Sequence, residues 1–297
     1  MTSSIRLGIN PLTWSNDDLP SLGAENSLEQ CLREARAAGY VGVELGHKFP
    51  RDPAALRAAL QPHGLALVSG WYSARLLERE ADAEFAAMQP HLELLAALGS
   101  DVVVVAEVTQ CTHGDRRARQ SRRPYMPAGR WPLFGERLTR LAELMQRRGL
   151  RLAYHHHMGT VVQSTDDVER LLQSSGEAVG LLLDTGHLRF AGGDPVDVAT
   201  RHARRVVHVH CKDVRPDVLA DVRNRDTSFL DAVLEGVFTV PGDGSVDYDA
   251  VLAPLAAAGY RGWLVVEAEQ DPAVAHPMTY ASLGHRHLAA VAARCFA

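Results

Sequence analysis

The sequence predicts an α/β protein folded as one (β/α)8 barrel, or TIM barrel, over residues 1–297. Short runs of aliphatic and β-branched residues alternate from end to end with longer stretches of helical periodicity, as in parallel sheets. Eight such repeats fit a closed barrel of about 250 residues with room for insertions. An open doubly wound sheet is the alternative, but residues 8–11 (Gly-Ile-Asn-Pro) are not the glycine-rich phosphate turn that it would need.

Each predicted strand is a short apolar run that ends at a polar residue or a turn. In chain order these runs are residues 6–10, 41–45, 65–69, 102–107, 151–155, 179–184, 206–212 and 263–267. Helical periodicity marks the stretches between them, among which are residues 28–38, 54–61, 84–98, 134–148 and 248–258. A glycine follows each of these helices or the turn after it, and we expect its backbone to adopt the left-handed conformation that ends the helix before the next strand. These glycines are Gly39, Gly64, Gly99, Gly149 and Gly259.

The composition predicts a cytoplasmic protein that binds neither nucleic acid nor membranes. A formal net charge of -5 argues against the basic face that nucleic-acid binding needs. The four cysteines include no Cys-x-x-Cys pair, so reduced thiols are expected. Residues 1–6 lack the apolar core of a signal peptide, and no stretch approaches the length of a membrane span.

Two connections, at about residues 108–132 and 213–244, are too long to be simple turns. The first carries an arginine cluster at residues 116–123. Such a loop is a solvated surface, a cover over a polar substrate or a contact between subunits, and the sequence leaves these three open. A homo-oligomer is compatible with each of them.

Side-chain alternation in the seventh strand places two histidines and a lysine inside the barrel. His208, His210 and Lys212 share one face, whereas Val207 and Val209 share the other and should pack against the helices. His210 is nearest the carboxyl end of the strand, so it is the predicted metal ligand. His208 lies deeper and is expected to hydrogen-bond within the core.

Carboxylates at the ends of the sixth and eighth strands complete a predicted metal site. Asp184 and Glu267 should meet His210 at the carboxyl mouth of the barrel, where active sites of this fold lie. Burying these groups together without a cation would cost several kcal/mol in repulsion and desolvation. Oxygen and nitrogen ligands without a thiolate suit Mn²⁺, Co²⁺, Mg²⁺ or Zn²⁺.

Three residues compete for the fourth ligand position. His155 and His157 face inward by alternation at the end of the fifth strand. Gln163 follows a turn at Gly159 and could return its amide oxygen to the site.

The same mouth should gather further polar and aromatic groups from the first four strands, and these are candidates for substrate or catalytic contacts: Asn10, Trp14, Glu44, Lys48, Trp71 and Glu107.

Several motifs resemble the xylose-isomerase-like barrel enzymes, and among them the inosose dehydratases. The similarity spans residues 8–18, 43–50, 154–160, 183–187, 207–215, 238–244 and 266–272. Asp-x-x-His at 184–187 and His-x-His at 208–210 are shared by many metal-binding barrels. Trp-Ser-Asn-Asp at 14–17, His-His-His-Met-Gly-Thr at 155–160 and Glu-Ala-Glu-Gln-Asp-Pro at 267–272 are more specific.

The resemblance implies a ligand set and a substrate. Such enzymes bind a divalent metal, with Mn²⁺ or Co²⁺ as activators, through Glu, Asp, His and Glu at the ends of strands five to eight. The last three correspond to Asp184, His210 and Glu267, whereas His155 or Gln163 stands in for the first. The implied substrate is 2-keto-myo-inositol (scyllo-inosose), a polyhydroxylated cyclic ketone that loses water to give a trihydroxycyclohexane-1,2-dione in myo-inositol catabolism.

Such a dehydration needs a base at the carbon beside the ketone and an acid at the departing hydroxyl. The candidates are His187, His155, Lys212 and Glu107, and the sequence does not divide the two roles among them. Lys212 or Lys48 could instead hold an oxyanion. The rival function is a metal-dependent ketose or inosose epimerase or isomerase, which returns the proton to carbon.

Overall fold

The computed structural model describes residues 5–297, so the first four residues of the predicted domain lie outside it. In the described part of the chain, eight parallel strands close into a barrel in the order β1-β10-β7-β6-β5-β4-β3-β2. This confirms the predicted fold. The strands are β1 Ile5–Ile9, β2 Gly42–Leu45, β3 Ala66–Ala74, β4 Val102–Glu107, β5 Arg151–His155, β6 Val179–Asp184, β7 Val206–Cys211 and β10 Gly262–Val266, and β8 Asp213–Val214 pairs with β9 Phe238–Thr239 as a separate antiparallel pair.

Helices surround the barrel. No helix of residues 5–297 is both long and apolar enough to cross a membrane. The helices are α1 Leu28–Ala38, α2 Pro53–Leu60, α3 Ala81–Ala87, α4 Gln89–Ala97, α5 Trp131–Gln146, α6 Thr165–Ser174, α7 Thr185–Phe190, α8 Pro195–His202, α9 Pro216–Asn224, α10 Phe229–Leu234, α11 Tyr248–Ala257 and α12 Pro277–Cys295.

Local signals in the sequence explain where helices begin and end. Ser27 caps α1 by accepting a hydrogen bond from the backbone N–H of Gln30, and Ser164 and Asp167 form a reciprocal capping box at α6. The five glycines predicted to end helices or the turns after them all have positive φ, from 60° at Gly64 to 108° at Gly39. Their left-handed conformation turns the chain toward the next strand.

Two element boundaries differ from the prediction. Strand β3 continues to Ala74 instead of ending near residue 69, so Trp71 lies within the strand and not after it. The helix predicted over residues 84–98 is two helices that meet at Met88. Pro90 lies in the first turn of α4, where a missing backbone N–H costs nothing, and this favours a new helix start over one continuous helix.

The second predicted long loop is largely folded, because residues 213–244 contain α9, α10 and the β8–β9 pair. The first loop binds directly to it. Arg116 donates to the carboxylate of Asp231 at 2.7 and 2.9 Å, and Ser121 donates to that of Asp226 at 2.6 and 2.9 Å. Part of the arginine cluster therefore joins the two long loops, which we call the two insertions, to each other.

The amino-terminal end of the barrel is filled by one large side chain. The ring of Trp263 packs against Gly42 so closely that a Cβ there would lie 2.6 Å from the ring and 2.7 Å from Val68. The guanidinium of Arg6 covers the same ring at 4.1 Å from its centroid. The lack of a side chain at position 42 is what allows an indole inside this small barrel.

We expect Gly42→Ala to lower the free energy of unfolding by about 1–3 kcal/mol, because an added methyl group overpacks the barrel interior. Thermal unfolding followed by circular dichroism measures the effect as a lower Tm. Gly129→Ala is the matched control, since no described atom lies within 4 Å of a Cβ at that position. Equal Tm values for the two variants would contradict this account of the packing.

Candidate metal centre and active site

A polar cavity opens at the carboxyl ends of the barrel strands. Its wall combines carboxylates and imidazoles with a few apolar side chains from the first four strands and the loops after them. The lining residues are Asn10, Leu12, Asp17, Asp18, Glu44, Leu45, Trp71, Val104, His113, His155, His157, His210, Glu267 and Glu269.

Asp184, His210 and Glu267 meet beside this cavity, as the alternation of the strands predicts. Register pairs Asp184 of β6 with His210 of β7, and Glu267 follows β10. His210 Nδ1 lies 3.0 Å from Glu267 Oε2 and 3.6 Å from Asp184 Oδ2. His155 Nε2 is 3.7 Å from the same Asp184 oxygen. Four potential ligands from four consecutive barrel strands therefore surround one point.

The donor atoms of this cluster suit a divalent cation. Asp184 Oδ1 accepts the backbone N–H of His187 at 2.8 Å, but Asp184 Oδ2 has no hydrogen-bond partner among the described residues. Buried polar atoms without partners are costly unless something else binds them. A group with His187 in place of His210 also converges, since one ligand atom from each of His155, Asp184, His187 and Glu267 lies within 4.8 Å of the others. These atoms can hold a divalent metal.

Glu44 orients His210 from deeper in the barrel. Its Oε1 lies 3.1 Å from His210 Nε2 and 2.9 Å from His208 Nε2, which confirms that His208 hydrogen-bonds within the core. Asn10 donates to Glu44 at 2.7 Å and to Glu267 at 2.8 Å. A carboxylate that holds the Nε2 proton of His210 leaves Nδ1 as the nitrogen that can bind a metal.

Lys212 supplies a positive charge to the same cluster. Its side chain is fully buried, and Nζ lies 2.6 Å from both Glu267 Oε1 and Glu269 Oε1 and 3.0 Å from His187 Nε2. Burial by itself lowers the pKa of Lys212, but Glu267, Glu269 and Asp184 outweigh it and raise the pKa above its usual value. Lys212 is therefore a fixed ammonium that can stabilise negative charge.

Three of the imidazoles near the cavity are held in the neutral form. Burial, reinforced by neighbouring positive groups, holds the pKa values of His155, His157 and His187 well below the usual histidine range. His210 differs, because Glu267 and Glu44 outweigh the effect of burial and hold its pKa well above that range. Burial raises the pKa of Glu269 to about 7, despite the opposing charge of Lys212.

Aromatic contacts hold the two cavity histidines of strand five. Trp71 packs edge-to-face on His155 and His157, with ring centroids 5.3 and 5.4 Å apart. His157 Nδ1 lies 2.8 Å from the carbonyl oxygen of Met158, which fixes the ring. Trp71 therefore forms an apolar wall of the cavity beside the ligand cluster.

Two residues predicted to bind substrate lie outside the cavity. Trp14 is buried, and its indole N–H donates to Glu34 at 2.6 Å. The ammonium of Lys48 donates to the carbonyl oxygens of Gly23 and Asn26 at 2.8 and 2.6 Å. Both side chains brace the loop after β1, and neither lines the cavity.

The side chains of Gln163 and Glu107 also form hydrogen bonds with the backbone. The amide oxygen of Gln163 accepts the backbone N–H of Gly159 at 2.7 Å, so it closes the turn instead of returning to the metal cluster. The carboxylate of Glu107 accepts the backbone N–H groups of Thr109 and Leu77 at 2.8 and 3.2 Å. Neither residue lines the cavity, whereas His155 does, and its Nε2 lies 3.7 Å from Asp184 Oδ2.

The structure adds residues that the sequence reasoning did not select for the site. Glu269 shares the inward alternation of Glu267, so its place could have been found from the pattern. Asp18 lies within a motif that carries the family resemblance. His113 lies six residues beyond the end of β4 in an irregular loop, where no periodicity indicates its direction.

We expect the affinity of the metal-free protein for Mn²⁺ to rise with pH, by about tenfold per pH unit where one proton is released. The raised pKa of His210 means that this ring carries a proton that a metal must displace, so binding is weaker below that pKa. Calorimetry in buffers of different ionisation enthalpy measures the released proton. His202→Asn, which changes a histidine paired with Glu169 away from the cavity, should keep the pH dependence. Affinity that does not change with pH would contradict this assignment.

Comparison with solved structures agrees with the barrel fold. A crystal structure titled IOLI protein with a binding zinc atom superimposes with a TM-score of 0.68 at 18% identity and covers 98% of this chain and 99% of that one. An L-ribulose 3-epimerase superimposes with a TM-score of 0.68 at 16% identity, covering 98% and 95% of the two chains. At these identities the likeness shows the fold alone.

Relatives found by sequence are much more similar to this chain than these two structures are. The rhizopine catabolism protein MocC of Rhizobium meliloti is 57% identical over 98% of this chain and 89% of its own. An inosose dehydratase of Geobacillus thermodenitrificans is 43% identical over 96% and 97% of the two chains, and inosose dehydratase 2 of Bacillus cereus is 42% identical over 94% of each. The sequence model of the xylose isomerase-like TIM barrel matches residues 32–291, and the chain belongs to that family.

Proposed function

We propose that this protein is a metal-dependent hydro-lyase that removes water from 2-keto-myo-inositol (scyllo-inosose) to give a trihydroxycyclohexane-1,2-dione. The observation that carries the proposal is the similarity, over nearly the full chain, to proteins named inosose dehydratase in several bacteria. A cavity that combines potential metal ligands with neutral imidazoles and a buried ammonium supports the same reaction class.

The proposed metal ligands are His155, Asp184, His210 and Glu267, because their donor atoms converge beside the cavity. Mixed oxygen and nitrogen donors support Mn²⁺ or Co²⁺, with Mg²⁺ or Zn²⁺ as alternatives. A bound divalent cation would polarise the ketone oxygen and lower the barrier to loss of the adjacent proton.

The proton next to the ketone is proposed to pass to Glu269. This carboxylate lines the cavity, whereas His187 and Lys212 do not. His187 Nε2 and Lys212 Nζ lie 3.6 and 2.6 Å from Glu269 Oε1. The ammonium of Lys212 orients Glu269 and stabilises the negative charge around it. His187 in turn lies 3.0 Å from the Lys212 ammonium, so both predicted catalytic residues are proposed to position the base.

Substrate contacts are proposed for Asn10, Glu44, Trp71 and His157, which line the same cavity. The amide of Asn10 and the imidazole of His157 can exchange hydrogen bonds with ring hydroxyls. Trp71 offers an apolar face for the ring carbons. This mixture suits a small cyclic polyol better than a charged or extended ligand.

A second candidate is a step of rhizopine catabolism, which the 57% identity to MocC favours. The two candidates share the site and differ in the substrate that fills the cavity. The third candidate function for the same ligand cluster is that of an epimerase or isomerase acting on a ketose or inosose.

Metal-stripped protein incubated with scyllo-inosose should form the conjugated dione only after Mn²⁺, Co²⁺ or another divalent metal is restored. We expect Glu267→Gln to lower the rate at least about a hundredfold, because a ligand is lost. Dione absorbance and deuterium incorporation from D2O are followed together. Glu78→Gln, which changes an exposed carboxylate paired with Arg75, should retain the rate.

The outcomes separate the candidates. Deuterium incorporation without dione would move the function to an epimerase or isomerase. Turnover of a rhizopine-derived substrate in preference to scyllo-inosose would favour the second candidate. Metal-independent dione formation, or full activity in Glu267→Gln, would contradict the proposed site.

A further inference from the structure

Asp18 and His113 form a pair at the rim of the cavity, apart from the ligand cluster. Asp18 comes from the loop after β1 and His113 from the loop after β4, and both line the cavity. His113 Nε2 lies 3.6 Å from Asp18 Oδ1, and the side chains are 13% and 31% exposed. This gap is longer than a hydrogen bond, so both groups remain free to bond one hydroxyl placed between them.

The surrounding backbone holds the pair in place. Asn16 Oδ1 accepts the backbone N–H groups of Asp18 and Leu19, each at 2.8 Å, which fixes the turn that carries the carboxylate. The residue before His113, Thr112, donates its backbone N–H to the carbonyl oxygen of Gly159 at 2.9 Å. A Cβ on Gly159 would lie 2.7 Å from the backbone nitrogen of His113, so glycine is needed where the two chain segments approach this closely.

His113 is also packed against the catalytic side of the cavity. Its ring meets that of His157 edge-to-face at 5.0 Å between centroids. Its Nδ1 is buried and has no hydrogen-bond partner among the described residues. A histidine built into the wall in this way, with Nε2 next to a carboxylate, is arranged to exchange a proton at Nε2.

Electrostatics favour the protonated ring. Burial lowers the pKa of His113, but the nearby Cys111 sulfur and the carboxylates of Asp18 and Glu269 outweigh it, so the pKa lies above the usual value. Burial raises the pKa of Asp18, although the charge of His113 opposes this. Both shifts favour the proton-bearing forms of the two side chains at the rim.

We propose that His113, positioned by Asp18, is the acid that protonates the departing hydroxyl of the substrate. The inference rests on the proposed dehydratase function. The base takes the proton beside the ketone, the electrons of that C–H bond form the new C=C bond, and the C–O bond to the hydroxyl breaks. His113 Nε2 gives its proton to that oxygen, so water leaves, and the proton taken by the base returns to His113 through solvent.

The test separates the two proton transfers in the metal-loaded enzyme. In D2O with scyllo-inosose, we expect His113→Gln to lower dione formation by about 10²–10⁴-fold, the usual contribution of one acid. Exchange of the proton beside the ketone should stay within a few-fold of wild type. Asp18→Asn should show the same pattern with a smaller loss. The control His63→Gln, which changes a histidine paired with Glu29 outside the cavity, should change neither rate.

A substrate analogue with fluorine in place of the departing hydroxyl adds a second readout. Fluoride needs less help from an acid than hydroxide, so release of fluoride by His113→Gln should approach the wild-type rate. A merely structural role for His113 would not produce this rescue.

Loss of exchange and dehydration together in both variants, or no loss in either, would overturn the assignment of His113 while leaving the dehydratase intact. A wild-type enzyme that neither exchanges nor dehydrates scyllo-inosose would instead remove the proposed function, and this inference with it.

Discussion

Buried negative charge at the mouth of the barrel is the constraint on which the site depends. Glu44, Asp184, Glu267 and Glu269 are each at most 4% exposed, and among the side chains in contact with them Lys212 and His210 have raised pKa values. Leaving such charge uncompensated in a low-dielectric interior is unfavourable. A divalent cation would relieve it, and the partnerless Asp184 Oδ2 lies where that cation would bind. The same charge explains why a lysine is tolerated with no exposure to solvent.

The barrel makes this concentration possible. Parallel strands bring every carboxyl end to one mouth, and alternation directs every second side chain inward. The protein supports the cluster from below through Glu44 and Asn10, which fix the orientation of His210 and Glu267. The two long connections that follow β4 and β7 at this end of the barrel are joined through Arg116 and Asp231. The rigid strands thus hold the proposed ligands, whereas the loops supply Asp18, His113 and Glu269.

The sequence predicted what depends on strand periodicity and missed what depends on loop paths. Inward alternation brought Asp184, His210 and His155 together correctly, because a strand fixes the direction of its side chains. Trp14, Lys48, Gln163 and Glu107 also lie near strand ends, but they hydrogen-bond to backbone groups or, for Trp14, to Glu34 of α1, and none of them lines the cavity. No local pattern says which way such a residue turns. For the same reason His113, in an irregular loop, could be found only from the folded structure.

The most direct test of the central claim is anomalous diffraction from crystals soaked with Mn²⁺. We expect one strong anomalous peak within bonding distance of Asp184, His210 and Glu267, with His155 as the fourth protein ligand, and loss of that peak in Asp184→Asn. A peak among Glu44, His208 and His210 deeper in the barrel, or no peak at saturating metal, would contradict it.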